Sequence, residues 1–119
     1  MECISYVNNH TALTKGIPFP LQRMRMMEYG SKNLLHPKYE HCELLTMPHF
    51  PIFFDLLEMS KNIDLILFSI AALPERPELR KRALDMVLDN RIRLHFANED
   101  FFVQDAETMQ KLDKLIEYV

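Results

Sequence analysis

Apolar residues along this chain recur with two different periods, and the switches between them mark out alternating strands and helices. Asp64-Leu-Ile-Leu-Phe68 is a short continuous apolar run, the pattern of a strand buried on both faces. Cys3 to Val7 has the same character and stops at the turn signal Asn8-Asn9. Arg91 to Phe96 reads as a later strand and Asn98 to Val103 as a short one after it. Tyr39 to Leu45 reads as a weaker strand, in which Glu40, Cys42 and Leu44 alternate against Tyr39, His41 and Glu43. A loop from Asn8 to Pro20 leads into a first helix. Pro20 supplies its first turn, Gly30 its stop, and Leu21, Met24, Met26 and Met27 its core contacts. Pro51 opens a second helix to Met59 that buries Phe53, Phe54, Leu56 and Leu57. A third runs from Pro77 to Asn90, with Leu79, Ala83, Leu84, Val87 and Leu88 on one face and Arg80, Lys81, Asp85 and Asp89 on the other. Asp105 caps a last helix whose stripe is Met109, Leu112, Leu115 and Ile116. Strands alternating with helices predict an α/β three-layer sandwich, a mostly parallel central sheet with helices on both faces. No repeat or linker interrupts the pattern, so residues 1–119 read as one domain.

Composition narrows the partners. With 48% hydrophobic residues the chain can bury a core, and its net charge of -3 argues against a nucleic-acid binder that works by displacing counterions. A local basic run remains in Arg76, Arg80, Lys81 and Arg82, and its plainest reading is a solvated helix face. Cys3 and Cys42 show no paired-ligand spacing, which suits a reducing cytoplasm. Met1 to Tyr6 lacks a basic region followed by an apolar one, and no apolar run reaches the roughly 20 residues of a membrane span. The expectation is a cytoplasmic protein.

Few residues are placed for chemistry. His36, His41, Cys42 and His49 share one stretch, but their spacing fits no closed zinc pattern, and no metal is expected. His10 falls at the end of the first strand, where a base could sit, but no orienting carboxylate is evident. Two glycines leave little material for a phosphate-cradling loop, and no cofactor is implied. The turn after the Asp64 strand carries Ala71, Ala72, Leu73 and Pro74. It lies where α/β sheets collect ligands, yet none of these side chains transfers a proton or holds a phosphate.

In order along the chain, several segments resemble the N-terminal catalytic domain of the serine recombinases, the resolvase/invertase family. Ile4-Ser-Tyr6-Val-Asn-Asn-His10 is similar to that family's opening strand, Tyr-x-Arg-Val-Ser, and Gln22 to the glutamine that begins its first helix. Met47-Pro-His-Phe50 resembles the family's Arg-Pro segment. Asp64 to Glu75 resembles its strand followed by Asp-Arg-Leu-Gly-Arg, and Arg91 to Asp100 its later strand and acidic turn. The resemblance implies a resolvase-like fold and, in an active member, a serine that attacks a DNA phosphate while arginines neutralise the developing charge.

This sequence departs from the family at those positions. His10 stands for the serine, Asn8 and Met47 for two arginines, Ala71 for the aspartate, and Ala72 and Glu75 for the two arginines of the loop. Glu75 adds a negative charge where a phosphate would lie. The sequence also ends at Val119, without the family's DNA-binding region. The resemblance therefore implies a catalytically inactive relative acting as a protein-interaction or regulatory module. Its partner, a second copy, another recombinase or a protein outside recombination altogether, would meet Met109, Leu112, Leu115, Ile116 and Val119 on the last helix, a stripe that equally suits packing on its own sheet. Two alternatives stay open. One is a recombination accessory touching DNA through Arg76, Arg80, Lys81 and Arg82; the other is a small-molecule sensor or unrelated enzyme using a crevice near His10.

Overall fold

A computed structural model describes residues 2–9, 11, 14–44 and 49–117. Its strands are β1 (Cys3–Asn8), β2 (Tyr39–Glu43), β3 (Asp64–Leu67), β4 (Arg93–Phe96) and β5 (Phe101–Val103). Its helices are α1 (Phe19–Lys32), α2 (Pro51–Met59), α3 (Pro77–Asp89) and α4 (Ala106–Glu117), joined by 3-10 turns at Thr14–Gly16 and Ile70–Ala72. The strands form one sheet in the order β2-β1-β3-β4-β5. Only the β4–β5 pair is antiparallel. β1 and β3 are buried along their whole length, which is why they carry continuous apolar runs rather than an alternation.

Successive residues on the central strands point to opposite faces and meet different helices. Ile4, Tyr6, Leu65, Leu67, Leu94 and Phe96 share a core with α2, α3 and Leu112 of α4. Cys3, Val7, Ile66, Phe68 and Ala97 pack against Met26 and Tyr29 of α1. The predicted architecture is thus the observed one, with α1 alone on one face and three helices on the other.

Four sequence expectations are corrected. Leu21, Met24 and Met27 do not face the core: Met24 is 55% and Met27 69% exposed, and α1 instead buries Gln22, Met26, Tyr29 and Gly30. Gly30 is no stop, because α1 continues to Lys32. Gly30 is needed because the Leu35 carbonyl oxygen lies 2.6 Å from where a Cβ would stand. β4 begins at Arg93 rather than Arg91, because Arg91 takes a left-handed φ of 55° that turns the chain out of α3. In the same way Asp100 (φ 53°) shortens β5 to Phe101–Val103.

With just two glycines in the sequence, left-handed corners fall to other residues, among them Leu34, Phe50 and Asn62. Phe50 precedes α2, and the first turn of that helix is capped from β2. The buried Glu43 carboxylate accepts hydrogen bonds from the amides of Ile52 (2.9 Å) and Phe53 (3.2 Å). A negative charge at a helix N-terminus is well placed for the free amides and for the helix dipole.

Candidate functional site

The strand order reverses direction between β1 and β3, with β2 on one side of β1 and β3 on the other. The carboxyl ends of those two strands form the crevice where open α/β sheets bind ligands. Asn8 closes β1 there, and the 3-10 turn Ile70–Ala72 follows β3. The two meet: Asn8 Nδ2 donates to the Ala72 carbonyl at 3.0 Å. Positions assigned separately to the degenerate site by sequence are therefore neighbours in space.

Every polar group of the Asn8 side chain is occupied by the protein itself. Nδ2 also donates to the Tyr6 hydroxyl (3.2 Å), and Oδ1 accepts from Thr14 Oγ1 (2.9 Å). Thr14 is in turn locked to Thr11, their hydroxyls 2.7 Å apart. Gln22 Nε2 donates to the Asn8 carbonyl at 3.0 Å and to that of Ile17 at 2.9 Å, fixing α1 against the end of β1. Tyr6 donates to Glu43 at 2.6 Å, and burial together with that hydrogen bond pushes its phenol pKa far above the ordinary value. Tyr6, Asn8, Thr11, Thr14, Gln22 and Glu43 are all buried. Among them Glu43 is the one acid, and among the described residues these hydrogen bonds include no Lys, Arg or His.

The turn after β3 is pinned by residues that the sequence pattern did not single out. Ser69 Oγ donates to Glu99 Oε2 (2.7 Å), Glu99 Oε1 accepts from the Ile70 amide (2.9 Å), and Ser69 Oγ accepts from the Ala71 amide (3.1 Å). Ala72 is buried and Ala71 half-buried, whereas Glu75 is exposed and its carbonyl accepts from Arg80 (3.2 Å). His10 and Met47 lie outside the described residues, as does Val119.

The remaining candidates are dispersed. Just before α3, Arg76 pairs with Glu78; on the helix Lys81 pairs with Asp85, and the Arg82 guanidinium stands 4.4 Å from the centre of the Phe54 ring. On α4, Leu112 is buried in the core, Met109 and Ile116 pack against it, and Leu115 is 40% exposed. Among the described residues no group of three His, Cys, Asp or Glu side chains is placed to hold a metal ion. None of the helices among them is long and apolar enough to cross a membrane.

A second buried polar chain ties α1 to β3 and β4. Tyr29 Oη and His95 Nδ1 are 2.7 Å apart, and His95 Nε2 and Asp64 Oδ1 2.8 Å. Arg93 forks onto the same carboxylate at 2.8 and 3.2 Å. One neutral tautomer satisfies all of them, with His95 Nε2–H donating to Asp64 and Tyr29 donating to Nδ1. Burial lowers the His95 pKa against the upward pull of Asp64. Burial would raise Asp64, but hydrogen bonds and charge from Arg93 and His95 outweigh it and hold the carboxyl below its usual range. The sequence signal was an acid opening an apolar strand, with Arg93 and His95 two apart on one face of the next.

Comparison with known proteins supports the architecture. No protein-family model and no curated protein matches the chain. The N-terminal catalytic domain of TP901-1 integrase superposes with a TM-score of 0.66 over 99% of this chain and 93% of that one, at 13% sequence identity. This protein therefore has a fold like that of an integrase catalytic domain.

Proposed function

We propose that this chain is a recombinase-fold domain that has lost phosphoryl-transfer chemistry and serves as a protein-interaction or regulatory module. The observation that carries this reading is the state of Asn8. Phosphoryl transfer of the serine-recombinase kind needs fixed cationic donors aimed at the phosphate oxygens. At the position where the resemblance calls for an arginine, a neutral amide is fully buried and spends both its protons on Tyr6 and Ala72. Ala72 and the acidic Glu75 stand where two further arginines are called for. At these three positions an incoming phosphate meets no compensating positive charge.

The partner surface implied by the resemblance lies on α4. Met109, Leu112 and Ile116 are engaged with the domain's own core, so among the described residues of the predicted stripe Leu115 is the one left facing outward. A regulatory module of this kind would engage a recombinase-like partner through its shape rather than through catalysis.

Two measurements test the reading. Incubated with supercoiled plasmid, the protein is expected to leave the DNA unnicked and to form no covalent protein–DNA adduct; an adduct would overturn the loss of catalysis. Titrated into a recombination reaction run by a purified serine integrase, it is expected to change the rate with rising concentration, and less so as Leu115→Lys. An unchanged rate at large excess would sink the recombination-linked form of the proposal.

A further inference from the structure

We propose that the open edge of β2 is a docking site for an extended segment of a partner protein in which basic and apolar residues alternate. β2 lies at the end of the sheet and pairs only with β1 among the described residues. Its Tyr39-Glu-His-Cys-Glu43 sequence contains no proline or lysine, two residues that commonly blunt a sheet edge; Pro37 and Lys38 stand just before it, the Lys38 ammonium 5.6 Å from the centre of the Tyr39 ring. An added strand could continue the main-chain ladder there.

A cavity flanks this edge on each face of the sheet. On the α1 side lies one of about 370 Å³, lined by Met26, Met27, Leu35 and Pro37. On the α2 side lies one of about 590 Å³, lined by Ile4, Ile52, Leu56 and Met59, with the Glu2 and Asp55 carboxylates. Both volumes are in the range that holds whole side chains or small ligands. A strand laid along β2 sends successive side chains to opposite faces. Its residues would therefore enter the two cavities in alternation.

Charge decides what each cavity takes. On the α1 side, Arg23 and Glu40 hold each other at 2.8 Å, and the rest of the lining is Met, Leu and Pro with Ser5, Ser31 and His36, a mainly apolar wall suited to an apolar side chain. On the α2 side the lining holds two carboxylates, Glu2 and Asp55, with the His41 imidazole and with Lys61, whose ammonium already donates to Asn90 Oδ1 at 2.7 Å. A lysine or arginine complements that wall, its stem on Ile4 and Leu56 and its charge at the carboxylates. A second copy of this chain fits poorly, because its own β2 strand brings Glu40 and Glu43 but no lysine or arginine to meet the Glu2 and Asp55 carboxylates. This site is remote from the α4 residue Leu115 and does not depend on the loss of catalysis.

The test uses two capped seven-residue peptides, one alternating valine with lysine and one alternating valine with glutamate, followed by backbone amide NMR and fluorescence anisotropy. The lysine peptide is expected to shift the β2 amides and to bind at least tenfold more tightly than the glutamate peptide. Asp55→Lys and Met27→Glu change exposed residues on opposite faces of the sheet, so neither threatens folding. Each is expected to weaken the lysine peptide about tenfold, because a ligand running along the edge meets both. Equal binding of the two peptides, shifts confined to α4, or sensitivity to just one of the variants would overturn the proposal. So would a concentration-dependent dimer of this chain that the peptide dissociates.

Discussion

At Gly30 the helix backbone passes so close to the Leu35 carbonyl that a methyl group has no room. Alanine in place of an exposed helical glycine ordinarily stabilises by about 1 kcal/mol. Here the added Cβ would stand 2.6 Å from a backbone oxygen, which cannot swing aside as a side chain would. It would also push on the 2.7 Å hydrogen bond from the Leu35 amide to the Gly30 carbonyl. Gly30→Ala is therefore expected to destabilise by about 1–3 kcal/mol, the usual cost of overpacking, measured by urea denaturation. Asn8 has the opposite character, being indispensable for what it binds. Asn8→Ala strands the buried Ala72 carbonyl and removes the acceptor of Thr14, at a cost of about 1–3 kcal/mol per orphaned group. An Asn8→Ala protein as stable as the parent would remove the structural role assigned to this network.

At the scale of elements, the order of strands and helices was legible in the sequence because buried parallel strands and amphipathic helices leave distinct periods. The inward face of α1 was not. An apolar-stripe reading selects Leu21, Met24 and Met27, but two of the buried positions of α1, Gln22 and Tyr29, are polar. Gln22 is drawn in by the Asn8 carbonyl at the end of β1 and the Ile17 carbonyl, and Tyr29 by the buried His95. A helix that docks through hydrogen bonds hides its inward face from hydrophobicity. The Asp64–His95 pair stayed hidden likewise, since its members lie on separate strands and meet only through the parallel β3–β4 register.

That pair makes a pH prediction. His95 titrates below its ordinary value in the folded protein, so the unfolded chain takes up its proton first as pH falls. Stability from the neutral ring is complete above about pH 6.5 and drains away as pH drops below it. Asp64, also lowered, keeps its contribution until pH falls past the usual carboxylate range, about 4. Melting temperature is therefore expected to fall between pH 7 and pH 5, and to fall less in His95→Gln, which has no group to protonate. Parallel curves for the two proteins would show that His95 does not couple folding to pH.

For the molecule as a whole, the charge balance argues against direct binding to duplex DNA. Binding of that kind depends on releasing counterions from phosphates, roughly one for each lysine or arginine contact. The sequence carries a net charge of -3, and the one basic cluster sits on a helix where acids match it. Arg76, Arg80, Lys81 and Arg82 share α3 and its approach with Glu75, Glu78, Asp85 and Asp89. Two of these cations are already paired, to Glu78 and Asp85. Exposed pairs like these are weak and could open. Opening them would still present a phosphate with as many carboxylates as cations. The protein is therefore expected to pass through heparin and DNA-cellulose columns at low salt, and charge reversal at Glu78 and Asp85 (Glu78→Lys, Asp85→Lys) to create retention that the parent lacks. Retention of the parent, released by salt with the steep dependence of several phosphate contacts, would restore the DNA-accessory reading. It would also mean that the α3 cations act together, in spite of the acids between them.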